Sequence, residues 1–243
     1  MCIRDSNNAS EFYRAENGQP IGYFWGYKTA GIFQNTQEID EWRAAGNGIL
    51  QSNVQPGDVR FVDRNHDGQI NDKDKVNLGN GTPDFTLGLN LGFVYKGFDF
   101  SIVANGAFGQ QIVQSYRNHT RPTPNYTTAI LDRWHGEGTS NRIPRVTDSN
   151  INYQFSDLFI QNGDYLRLST LTLGYDFAKL FKGKAVSQAR LYFQVQNLFI
   201  ITGYDGMDPE IGFGSSNNSW VSGLDYGYYP RPRTVLVLSL IHI

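Results

Sequence analysis

The feature that most constrains this chain is a pair of long alternating runs. Phe85, Leu87, Leu89, Leu91, Phe93 and Tyr95 alternate with Thr86, Gly88, Asn90, Gly92 and Val94. Successive side chains of a strand point to opposite faces. A period of two therefore predicts one strand with an apolar face, aromatic at both ends, and a small or polar face. After Lys96-Gly97 the pattern resumes. Phe98, Phe100, Ile102, Ala104 and Phe108 face one way, and Asp99, Ser101, Val103, Asn105 and Ala107 the other. This predicts an antiparallel hairpin with a very short turn. Soluble strands are usually about 5–6 residues long. A strand that crosses a bilayer needs about 9–11 residues and carries this alternation.

Further runs follow. A strand is expected over Leu166–Phe177, where Leu171, Leu173, Tyr175 and Phe177 alternate with Thr170, Thr172, Gly174 and Asp176. Its phase slips near Ser169, which predicts a bulge. Leu191, Phe193 and Val195 alternate with Tyr192, Gln194 and Gln196. The last run, Arg233 to Ile243, loses alternation at Val235-Leu236-Val237-Leu238. The connections near 96 and across 178–187 are short. Those across 109–163 and 202–230 are long, polar and loop-like, with local order expected around Tyr126 to Trp134. Outer-membrane barrels show this asymmetry, with short periplasmic turns and long extracellular loops. On that logic the segment before Phe85 is extracellular too.

Composition agrees. Lys and Arg number 21 against 23 Asp and Glu, a net charge of −2, so the basic excess of a nucleic-acid binder is missing. Charged residues are 18%, aromatics 14%, and glycines number 26. No apolar stretch approaches the roughly 18 residues of a transmembrane helix. Cys2 is the only cysteine, which excludes an internal disulfide and a thiolate metal site. No secretory signal is visible. The ends, MCIRDS and SLIHI, resemble translated sequencing-adapter read-through, so residues 1–6 and 238–243 are expected to be non-native and the chain to be cut at both ends.

One motif has metal-ligand spacing. Residues 63–74 read DRNHDGQINDKD. Asp63, Asn65 and Asp67 stand at positions 1, 3 and 5 of a twelve-residue calcium loop, with Gly68 at position 6, where a sharp turn needs a residue without a Cβ. Gln69 offers its backbone carbonyl at position 7, Asn71 acts through a water at position 9, and Asp74 takes position 12. Short oxygen side chains at this spacing wrap around one point, as the six to eight oxygens of Ca²⁺ require. Position 12 is Asp rather than a bidentate Glu, and flanking helices are missing, so the loop resembles the dockerin type more than an EF-hand sensor. A structural Ca²⁺ is expected. The bland alternative is an Asp/Asn/Gly turn that binds nothing.

Other candidates carry less. His66, His119, His135 and His242 are scattered. Asp208 and Glu210 flank Pro209, but a spacing of two in a loop does not define acid–base geometry. Trp134, Trp220, Tyr226, Tyr228 and Tyr229 lie in loops, where they either stack on sugars or pack. No phosphate-cradling loop, nucleophile elbow or zinc signature is present, and no enzyme activity is expected.

Five segments in order resemble the C-terminal part of SusC/RagA-type TonB-linked outer-membrane transporters of Bacteroidota. They are GYKTAGIFQ (26–34), the stretch 56–102 from PGDVRF to GFDFSI, SDLFIQNGDYLRLSTLTLGYDF (156–177), YFQVQNLFIITGYDGMDPEIG (192–212) and YYPRPRT (228–234). The resemblance implies an all-β fold: the C-terminal strands of a large transmembrane antiparallel β-barrel, plugged and of about 22 strands, with long extracellular loops. Residues 7–237 would be that partial barrel segment. The calcium-type loop would lie within 56–83 and strands at about 84–108, 165–201 and 231–237. The resemblance further implies active import of oligosaccharides or peptides across the outer membrane. The implied partners are a SusD-like surface lipoprotein, the TonB complex acting through an N-terminal part not seen here, and outer-membrane lipid, with no nucleic acid. Residues such as Phe85, Leu87, Leu89, Leu91, Phe93, Phe98, Phe100 and Ile102 would face lipid. Thr86, Asn90, Ser101, Asn105, Thr170, Thr172, Gln194 and Gln196 would face the lumen or plug. The final strand departs from the family by lacking a closing aromatic residue. Two rivals remain: a soluble calcium-dependent carbohydrate-binding β-sandwich, and a secreted glycosidase fragment, for which no carboxylate pair stands out.

Overall fold

The computed structural model of the chain describes residues 13–114, 128–147, 150–177, 188–211 and 221–242. In chain order its elements are β1 (Tyr13–Arg14), β2 (Tyr23–Gly26), β3 (Thr29–Ile32), α1 (Thr36–Ala44), β4 (Val59–Phe61), β5 (Val76–Asn77), β6 (Phe85–Tyr95), β7 (Phe98–Phe108), β8 (Gln111–Gln114), β9 (Ile160–Asn162), β10 (Tyr165–Asp176), β11 (Gln188–Thr202), β12 (Leu224–Asp225) and β13 (Thr234–His242). They divide into two compact units. One gathers 1–81, 112–161 and 212–226; the other gathers 82–111, 162–211 and 227–243. Most of the stretch 109–163 and the segment before Phe85 thus gather in the first unit, while 202–211 and 227–230 fall in the second.

The second unit is a single antiparallel sheet in the order β13-β11-β10-β7-β6. The β6–β7 hairpin is closed by Lys96 (φ 50°) and Gly97 (φ 94°). Positive φ at both central residues matches the right-handed twist of the flanking strands, and a glycine takes the second position without a Cβ penalty. Pairing runs unbroken from Tyr95↔Phe98 to Phe85↔Phe108. The expected slip at Ser169 is a register shift between Leu168 and Thr170 against both neighbours, β7 and β11. It lets one residue step out of the ladder, so the apolar phase is restored on either side.

Register alone assigns the faces. Leu91 pairs with Ile102, Ile102 with Leu171, Leu171 with Val195, and Val195 with Val235. The same face carries the other odd-numbered residues of β6, with Phe98, Leu173, Leu191, Phe193, Phe199, Ile201, Val237 and Ile241. These side chains are exposed, Phe93 at 61% and Val237 at 69%, whereas Val195 on the same face is buried. Soluble monomers rarely leave an apolar patch larger than about 300–600 Å² open to water. The opposite face carries Thr86, Asn90, Ser101, Asn105, Thr172, Gln194 and Gln196, with Arg190 paired to Asp99 and Ser169 hydrogen-bonded to Asn105. The ten steps from Phe85 to Tyr95 measure about 34 Å; a tilt of about 40° turns that into roughly 26 Å, the height of an outer-membrane barrel's apolar band. Rings cluster where the short turn lies, with Phe98 4.4 Å from Tyr175 and Tyr175 4.7 Å from Phe177.

β13 differs from the expected strand 231–237. Pro230 and Pro232 have no N–H to give, so the ladder starts at Thr234. It then runs to His242 in register with β11, since backbone pairing does not depend on side-chain alternation. Leu236 pairs with Gln194 and Leu238 with Tyr192, so the polar face turns apolar along this strand.

The first unit is built from three small sheets, ordered β1-β2-β5, β3-β4 and β12-β8-β9, and the one α-helix among the described residues. Asn35 caps α1 by accepting from the Glu38 N–H, and Gly46 (φ 79°) ends it in the left-handed region. Two apolar clusters hold the unit. Tyr13, Phe24, Val113, Val221 and Leu224 form one; Tyr27, Val59, Phe61 and Ile70 form the other. No helix of the described residues is long and apolar enough to cross a membrane.

Candidate functional site

The loop 63–74 leaves β4, whose Val59 and Phe61 are buried beside Tyr27. Ile70, in the middle of the loop, is buried in the same cluster, so the oxygen-bearing residues are strung between two fixed points. Asp63 is 1% exposed and Asp74 is fully buried. Asp63 Oδ2 accepts from the backbone N–H of Gly68 (2.8 Å) and of Gly48 (3.1 Å). Its other oxygen, Oδ1, is buried with no hydrogen-bond partner. Asp74 Oδ1 accepts from Arg64 N–H (2.9 Å) and Oδ2 from Asn71 N–H (2.8 Å).

The exposed half of the loop is built from side chains that bond their own backbone. Asn65 Oδ1 accepts from Asp67 N–H (3.1 Å), and Asp67 Oδ1 from Gln69 N–H (2.9 Å). The Asn65 amide also donates to Asp67 Oδ2 at 2.8 Å. That amide is the main reason the Asp67 carboxyl sits below its ordinary value. Asn71 caps the turn Asp72–Asp74, accepting from Lys73 N–H at 3.0 Å. Lys75 lies 2.7 Å from Asp72, and its hydrogen bond and charge hold that carboxyl low as well. Gly68, at φ 78°, occupies the left-handed conformation the sequence assigned to it. Among the described residues no three His, Cys, Asp or Glu side chains converge as a ready-made metal cluster. Any ion here needs the asparagine and carbonyl oxygens as well as the carboxylates.

A second constellation escaped the sequence reading. Arg167, on the polar face of β10, is buried and reaches Asp208 Oδ1 at 2.6 Å and Glu210 at 3.1 Å. Arg231 lies 2.9 Å from the other Glu210 oxygen. The Asp208/Glu210 pair flanking Pro209 therefore serves as counter-charge for arginines. The alternation Leu166-Arg167-Leu168 was its available signal, since it puts a cation on a face that must bury it. A third network ties 51–58 to 145–152. Arg145 Nε donates to Asp58 at 2.7 Å, and Asn152 joins Asp58 (2.8 Å) to Val59 N–H (3.0 Å). These residues line a polar cleft with Gln51 and Thr147.

The remaining candidates stay apart. His66 and His135 are exposed and belong to no cluster of three potential metal ligands among the described residues, and His119, Tyr126 and Trp220 lie outside the described residues. Trp134 packs against Gly57, where an added Cβ would stand 2.4 Å from its ring, and donates to Gln34 at 3.1 Å. Tyr229 is exposed.

No protein-family model matches the chain. It is 33% identical over 228 residues to TonB-dependent receptor P3 of Formosa agariphila, across 89% of this chain and 22% of that protein. It is 32% identical over 195 residues to the TonB-dependent receptor SusC of Bacteroides thetaiotaomicron, across 79% of this chain and 18% of SusC. The chain thus spans only a minor part of the curated relatives it matches. Among solved structures, the RagAB peptide transporter superposes with a TM-score of 0.63 at 22% identity, covering 93% of this chain and 23% of the transporter chain. At that identity the likeness shows the fold: the five-stranded sheet is a piece of a barrel wall.

Proposed function

The chain belongs to the TonB-dependent receptors, the family that includes SusC, and on that premise we propose that it forms part of the wall and loops of an outer-membrane importer. One observation carries this: an apolar face, with most of its large side chains exposed, extends across five antiparallel strands of up to fifteen residues. In water such a face would drive association. In a bilayer it is what a barrel wall presents, with the polar face toward the lumen. A β-sandwich needs a second sheet over that face, and the described second unit has one sheet.

The cargo in this proposal is oligosaccharide, or peptide as for the RagAB peptide transporter. Uptake is driven through TonB and assisted by a SusD-like surface lipoprotein. Support comes from relatedness to SusC and from polar, aromatic-bearing loops such as 226–229, which suit sugar rings. The test is deletion of the complete receptor gene, followed by growth on single oligosaccharides and on peptides. Loss of growth on one polymer class, restored by the gene and not by a TonB-uncoupled version, is the expected result. Unchanged growth on every glycan and peptide would contradict the proposal.

A further inference from the structure

We propose that residues 63–74 hold one Ca²⁺, anchored by the buried Oδ1 of Asp63. The inference concerns this loop alone and does not rest on what the barrel carries. Its basis is the buried carboxylate. Asp63 is 1% exposed, and its Oδ2 is engaged by two backbone N–H groups, yet Oδ1 meets no donor. No Lys, Arg or His among the described residues forms an ion pair with it. Folded proteins avoid leaving a buried charged oxygen without a partner, and they resolve it with a cation or a bound water. Because Oδ2 accepts from the Gly68 N–H, in the middle of the loop, the loop curls back onto this carboxylate.

The remaining donors suit a hard, flexible cation. Ca²⁺ takes six to eight oxygens at about 2.3–2.6 Å. Asn65, Asp67 and Asp74 each use side-chain oxygens to accept backbone N–H groups, and each such oxygen keeps a further lone pair. Gln69 adds a backbone carbonyl and Asn71 a place for a water, so the loop offers mixed charged and neutral oxygens. Mg²⁺, which demands a near-octahedral shell and gives up its waters reluctantly, fits such a loop poorly. The ion would also fix the chain after α1. Gly48 N–H is bonded to Asp63, and Trp42 Nε1 donates to the Gly48 carbonyl at 3.2 Å.

That indole provides the measurement. The complete receptor, purified in detergent and stripped with EDTA, is titrated with Tb³⁺ under tryptophan excitation, and Ca²⁺ is then added in competition. The expected result is a saturable emission that Ca²⁺ displaces and that Trp42→Phe diminishes. Asp63→Asn keeps an acceptor for the Gly48 and Gly68 amides while removing the charge, and it is expected to weaken Ca²⁺ binding at least tenfold. Asp67→Ala alters an exposed side chain without touching the packed interior, and it is expected to weaken binding similarly even if Asp63→Asn fails to fold. Either a missing Ca²⁺-displaceable signal or an Asp67→Ala receptor that binds Ca²⁺ like its parent would overturn the site and leave Asp63 Oδ1 to a buried water.

Discussion

At the residue scale, Gly48 and Asp67 are the sharpest tests of the loop. A Cβ at Gly48 would stand 2.7 Å from the backbone of Gln69, and backbone cannot swing aside. Gly48→Ala is therefore expected to destabilise the first unit by about 1–3 kcal/mol, read as a lower melting temperature of the complete receptor. The sign for pH follows from Asp67 and Asp72, whose folded carboxyls lie below the ordinary 3.8. A depressed folded value adds stability above the unfolded value, and that stability disappears as pH falls through the folded value. The contribution of these two carboxylates to stability is thus expected to be full at neutral pH and to be lost only as pH falls below 3.8, as melting at stepped pH would show. The spacing of Asp63, Asn65, Asp67 and Gly68 made this loop legible in the sequence. The role of Gly48 was not, because it depends on a contact fifteen residues away that no local pattern encodes.

At the element scale, two ion pairs on one sheet face separate by burial. Arg190 and Asp99 keep 34% and 24% of their side-chain surface, so breaking the pair is expected to cost no more than about 1 kcal/mol. Arg167 and Asp208 keep 5% and 8%. Asp208→Ala leaves a buried guanidinium with Glu210 alone. The expected loss is near the lower end of about 3–5 kcal/mol, together with faster proteolysis within 203–211. β6, β7, β10 and β11 were legible because alternation survives wherever one face meets an apolar environment. The helix α1 was missed. It buries only Ile39 and rests on its caps, so periodicity had little to report. The strands β1 to β5 are two to four residues long, too short for a period of two to register.

At the scale of the whole molecule, β6 and β13 are edge strands of a sheet whose apolar face is exposed. Unpaired edges are not tolerated in lipid, and a sheet of five strands cannot close a barrel of this class. The 243-residue chain alone is therefore expected to aggregate without detergent, whereas the complete receptor stays monodisperse in micelles, a difference visible by size-exclusion chromatography. The barrel origin of the sheet was legible from strand length and loop asymmetry. The gathering of loop segments into one unit was not, since Tyr13, Phe24, Val113 and Val221 meet only through long-range packing. The most direct test places single spin labels along β6, from Thr86 to Val94, in the complete receptor reconstituted in a bilayer. Accessibility to oxygen and to a water-soluble nickel reagent is read at each site. A membrane-spanning sheet predicts opposite oscillations of period two, with 87, 89, 91 and 93 open to oxygen and 86, 88, 90 and 92 shielded from lipid. Equal access to the nickel reagent at all of these positions would contradict it.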